Sequence, residues 1–121
     1  MNNIPLKIRN QLAADPFMLK CFRHAEGECD GRIEWEHAHQ YRGRQVQEPW
    51  AIVPACTFHH RGAGLIKELN RYAAILRAEE MNVDPGEKYP RTDWPQVKKY
   101  LAGKYPGFRL PIVENVAATA A

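Results

Sequence analysis

Cys21-Phe-Arg-His-Ala-Glu-Gly-Glu-Cys29-Asp-Gly-Arg-Ile-Glu-Trp-Glu36-His37-Ala-His39 and Trp50-Ala-Ile-Val-Pro-Ala-Cys56-Thr-Phe-His59-His60 are the two stretches on which the fold turns. All three cysteines and all five histidines of the chain, His24, His37, His39, His59 and His60, fall inside this window. Residues 21–31 carry turn formers but little apolar material, so they need an external staple to be ordered. Cys21-x7-Cys29 and Cys56-x2-His59 together supply four thiolate or imidazole ligands, one complete tetrahedral zinc site. His24 is a rival to Cys29, although Cys29 adjoins the Asp30-Gly31 turn that presents its sulfur. An odd number of cysteines argues against a closed disulfide framework and suits a reducing compartment.

Outward from that window the pattern is mixed. Ile33 and Trp35 alternate with Glu34 and Glu36, which predicts a short strand over residues 32–39. A polar loop over residues 40–49 then leads to an apolar run, Trp50 to Ala55, of strand character, and the two strands form a hairpin. Beyond Cys56 the spacing of Leu65, Leu69, Tyr72 and Leu76 is helical, with Gly62 and Gly64 placed to break the first turns. Upstream, Ile4, Ile8 and Leu12 share a helical face, Pro5 suits a first helical position, and Asp15-Pro16 ends the segment. Downstream, Met81 to Pro90 reads as a linker. Asp93 caps a last helix bearing Trp94, Val97 and Leu101, closed by Tyr105-Pro106-Gly107. The small-residue tail, Val116 to Ala121, reads as frayed.

The 121 residues suit one domain: an N-terminal helical segment (1–20), a zinc-stapled core (21–80) and a C-terminal helix and tail (81–121). With 45% hydrophobic and 26% charged residues the chain has the composition of a globular protein. No apolar run approaches the ~20 residues of a membrane span, and no signal-peptide pattern opens the chain, so a cytoplasmic, membrane-free protein is expected. The net charge is only +3, but between Tyr41 and Arg77 six basic residues face two acidic ones. Of these, Arg42, Arg44 and Arg61 lie at the rim of the site and are candidates for phosphate contacts.

With His59 on the zinc, the adjacent His60 must face elsewhere, and Glu36-His37 offers it a carboxylate and an imidazole. Phosphodiester hydrolysis needs a base for water and a divalent cation to offset charge. His37 has the chemistry of the base, Glu36 and His60 that of cation ligands. His39, on the same strand face as His37, is an alternative base.

The segment Cys21–His60 resembles the zinc-bearing HNH nucleases of phages and bacteria, also called the His-Me finger or ββα-metal group. Cys-Asp-Gly-Arg-Ile-Glu-Trp-Glu-His carries the first part of that resemblance and Ala-Ile-Val-Pro-Ala-Cys-Thr-Phe-His-His the last, with His59 replacing a usual cysteine. The resemblance covers about a third of the chain. It implies an α+β fold with a ββα-metal core flanked by helices, and an endonuclease that hydrolyses DNA. It further implies a structural Zn2+ and a catalytic Mg2+ or other divalent cation, with Glu36 and His60 as metal ligands and His37 as general base. The chain departs from the pattern at Ala51, where the family has an asparagine that braces the loop orienting the base. Gln45 and Gln47 carry the same amide nearby. A zinc-ribbon-like module that binds nucleic acid or protein without chemistry is the competing function, and a purely structural zinc protein is a more distant one. A homodimer is compatible with the chain, but no stripe marks its interface.

Overall fold

A computed structural model describes residues 4–62 and 64–112, so the tail from Val116 to Ala121 lies outside the described residues. The fold is α+β, a small sheet among helices. Its elements are α1 (Leu6–Ala13), β1 (Ile33–His37), β2 (Gln40–Tyr41), β3 (Arg44–Gln45), β4 (Ile52–Cys56), α2 (Thr57–Arg61), α3 (Lys67–Glu80), α4 (Pro85–Lys88) and α5 (Trp94–Lys104). β1 and β4 pair antiparallel, with Ile33 opposite Cys56 and His37 opposite Ile52. β4 is buried at every position, because α3 and the Pro16–Leu19 turn pack against it. β1 is half-buried throughout, so its alternating side chains reach both the core and the site.

The sequence reading needs several corrections at the element ends. The first strand stops at His37: the Ala38 N–H still bonds the Ala51 carbonyl at 2.8 Å, in register with the ladder, but Ala51 belongs to the 3-10 turn that precedes β4. Trp50 and Ala51 belong to a 3-10 turn, Pro49–Ala51, rather than to the strand. The polar loop contains a two-residue hairpin joining β2 to β3, with Arg42 (φ +54) and Gly43 (φ +80) both in the left-handed region that such turns require. Asn or Asp is the usual residue where Arg42 stands, which hid the turn. Pro5 caps α1 from outside it.

The helical run after Cys56 is broken, as Gly62 and Gly64 predict. α3 begins only at Lys67, so Leu65 lies outside it and is partly exposed, while Leu69 and Tyr72 are buried as expected. α4 is a single turn inside the expected linker. Asp93 caps α5 by accepting from the Gln96 N–H at 3.2 Å, as the sequence indicates. The core gathers Leu12, Phe22, Trp50, Ile52, Val53, Leu69, Tyr72, Ile75, Trp94 and Leu101 around β4. Among the described residues, no helix is long and apolar enough to cross a membrane.

Gly31, at φ +84, lies where the loop enters β1; a Cβ there would lie 2.4 Å from Oγ1 of Thr57, the first residue of α2. This glycine therefore lets the loop carrying Cys29 approach the helix carrying His59 and His60.

Candidate metal centre and adjoining cleft

Four parts of the chain meet at one cluster. Cys21 follows the Pro16–Leu19 turn, Cys29 sits in the loop before β1, Cys56 ends β4, and His59 lies in α2. Their ligand atoms all lie within 4.8 Å of one another. His59 Nδ1 is 3.2 Å from Cys56 Sγ, 3.3 Å from Cys21 Sγ and 3.7 Å from Cys29 Sγ. Tetrahedral bonds of zinc length set ligand atoms about 3.5–3.8 Å apart, so the four residues fit one such ion. His24, the rival ligand, is exposed in a 3-10 turn and is not in the cluster.

The thiols differ in their readiness to ionise. Burial raises Cys56, but N–H donors from His59 and Asp30, then Cys29 and Cys21, outweigh it and hold the group below its usual value. Cys29, although exposed as a residue, is pushed up to about 12, first by desolvation of its sulfur and then by Cys21 and Cys56. Three thiolates cannot share this space without a cation. The loop itself has a second tie that the sequence did not reveal: buried Arg23 pairs with Glu26 at 2.7 Å and donates to the Gly64 carbonyl.

His59 and His60 face different ways. While His59 enters the cluster, His60 lies against β1, where alternation puts Glu34 and Glu36 on one face. His60 Nδ1 is 2.7 Å from Glu34 Oε1, and His60 Nε2 faces Glu36 Oε2. Burial pushes the Glu36 carboxyl up, against opposing pulls from His60, His37 and Lys67. Glu34 is held down to about 2, chiefly by its hydrogen bond from Arg61.

His37, next along β1, bonds through Nε2 to Gln47 Oε1 at 2.9 Å. With the amide oxygen accepting, Nε2 carries the hydrogen and Nδ1 keeps the lone pair. Glu36 and His37 line an open cleft of about 440 Å³ with Gln40, Gln45, Lys67 and Arg71. Ala51, where the asparagine of the HNH pattern would stand, is fully buried, and its carbonyl anchors the Ala38 N–H just beyond His37.

The basic residues divide differently from their sequence positions. Arg42 and Arg44 line a second cleft with Lys88 and Glu48, and Arg61 is held by Glu34. Lys67 and Arg71, four residues apart on α3, are the cations of the Glu36–His37 cleft. Their helical spacing was legible, but the fold that brings α3 to the cleft at the end of β1 was not.

His39 is buried, and its Nδ1 accepts from Arg71 Nε at 3.1 Å, so it has no lone pair for water. Burial, then the Arg71 charge, hold its pKa down to about 4 from 6.5. Between those values the unfolded chain binds a proton that the folded chain does not, so His39 makes stability fall as pH drops from about 6.5 towards 4, by about 3 kcal/mol at most. In His39→Gln, which retains an acceptor for Arg71, denaturant titrations across this range should show a shallower fall than wild type. Parallel curves would remove His39 as the cause.

The chain matches no family model, no curated protein and no solved structure.

Proposed function

We propose that the protein is a metal-dependent endonuclease of the HNH, or ββα-metal, type, hydrolysing phosphodiester bonds in DNA beside a structural zinc site. One observation carries the reading: Glu36 and His60, 24 residues apart in the chain, face each other, and Glu36 lines an open cleft with His37 and the cations Lys67 and Arg71. The β1–β4 ladder and α2 bring them together, and the Cys21–Cys29–Cys56–His59 cluster fixes α2 against that ladder.

In this reading Glu36 and His60 hold a divalent cation such as Mg2+, which when bound offsets charge on the phosphate and leaving oxygen. His37 accepts the proton of the attacking water at Nδ1. Gln47 keeps the His37 hydrogen on Nε2, and the Ala51 carbonyl fixes the backbone after it; together they do the bracing for which the family uses asparagine. Lys67 and Arg71 meet phosphates of the strand lying in the cleft.

Purified zinc-loaded protein is expected to nick supercoiled plasmid when Mg2+, Mn2+ or Ni2+ is added, and to leave it intact without a second metal. Failure with all three on duplex, branched and single-stranded DNA would overturn the reading, and salt-dependent binding without cleavage would favour the non-catalytic module.

A further inference from the structure

We infer that Glu34 is the positioning residue of the divalent-cation site, holding His60 in the tautomer and orientation that present Nε2 to a cation shared with Glu36. The inference rests on the nuclease reading and adds to it a residue that does not touch the reacting atoms.

Strand alternation sets Glu34 and Glu36 on the same face of β1, about 7 Å apart along the strand. His60 reaches across from α2 and spans them, with Nδ1 on Glu34 Oε1 at 2.7 Å and Nε2 towards Glu36 Oε2. A neutral imidazole has one N–H and one lone pair. Donating Nδ1–H to Glu34 leaves the lone pair on Nε2, opposite a carboxylate oxygen. Two acceptors face to face repel unless a proton or a cation lies between them. The arrangement is thus suited to a cation at that point, and Glu34 selects the tautomer that suits it.

Glu34 is itself held. Its side chain is 10% exposed, and Arg61 donates Nε to Oε1 at 3.0 Å and a second N–H to Oε2. Arg61, which by sequence position is a phosphate contact, here fixes the carboxylate that fixes His60. A carboxylate behind a ligating imidazole sets ring orientation and raises ligand basicity, and its loss commonly lowers metal affinity about 10–100-fold.

The test is Mn2+ binding to the zinc-loaded full chain, followed by the EPR signal of free Mn2+, with zinc content and Tm measured on each sample. The His60 tautomer is read separately from its ring 15N shifts with diamagnetic Mg2+ in place of Mn2+. Wild type should show the Nδ1–H form. Glu34→Ala should bind Mn2+ about 10–100-fold more weakly, with His60 shifted towards the Nε2–H form. Glu34→Gln keeps an acceptor but no charge, so it should retain the wild-type tautomer and zinc content and bind Mn2+ only about three- to tenfold more weakly. If Glu34→Ala loses zinc or melts early, Glu34→Gln decides, and wild-type Mn2+ affinity in that variant overturns the inference. Unchanged affinity and tautomer in a folded Glu34→Ala overturn it as well. Wild type that binds no more Mn2+ than Glu36→Ala overturns the nuclease reading and this inference with it.

Discussion

Stripping the metal from the Cys21–Cys29–Cys56–His59 cluster is expected to unfold the protein. Cys21 and Cys56 are buried at 2% and 1% exposure, and their sulfurs join the N-terminal segment, the end of β4 and α2. The surrounding loop has few apolar side chains of its own, apart from Phe22, whose N–H bonds the Pro54 carbonyl at 2.8 Å. Structural zinc binding is worth about 10–16 kcal/mol in zinc-finger peptides, whereas whole domains are stable by only about 5–15 kcal/mol. The two ranges overlap, so losing the metal removes about as much free energy as the whole fold of a small domain holds. Chelation at neutral pH should therefore lower Tm by at least about 20 °C, or abolish the cooperative transition, and zinc should restore it. Cys56→Ser should do the same without chelator. Because Cys29 approaches from the solvent side, Cys29→Ser should cost less. Bound zinc at one per chain accompanies this expectation, and a chelated protein melting within a few degrees of the untreated one would show that the cluster is not the staple.

What the sequence made legible follows from the range over which its signals act. The ligand set could be read because Cys56-x2-His59 is local: one turn of helix brings the two side chains together, and Cys56 Sγ accepts the His59 N–H within that turn. Glu34 and Glu36 sharing a face of β1 is local too. The pairing of β1 with β4 was accessible from their apolar character, but the register was not, and it is the register that places Glu36 within reach of His60. The Arg42-Gly43 turn was obscured by an arginine at a position of positive φ. The roles of Arg61, Lys67, Arg71 and His39 are set by packing across distant elements. Arg71 ends up against His39 only because the fold brings α3 to the segment between β1 and β2 that carries it, and nothing in either residue's neighbourhood signals that meeting.

Replacing His37 with alanine is expected to lower the rate of DNA cleavage by about 100- to 10,000-fold, the usual worth of a positioned general base, while leaving zinc content, Tm and Mn2+ binding near wild type. The selectivity of that loss follows from where His37 sits. It ends β1, is only half-buried, lines the cleft beside Glu36, and bonds through its side chain to Gln47 in the loop before Pro49. Removing the ring therefore takes away the proton acceptor without touching the cluster or the Glu36–His60 pair. Gln47→Ala should act through the same ring and more mildly, since it frees the imidazole to change tautomer without removing it. Imidazole added to the His37→Ala protein should restore part of the rate in a concentration-dependent way, because the cavity left at the end of β1 opens to the cleft that His37 lines. That rescue separates a missing base from a damaged scaffold. Cleavage by His37→Ala within tenfold of wild type would instead mean that water is deprotonated elsewhere. His39, with its Nδ1 committed to Arg71, is not placed to do so.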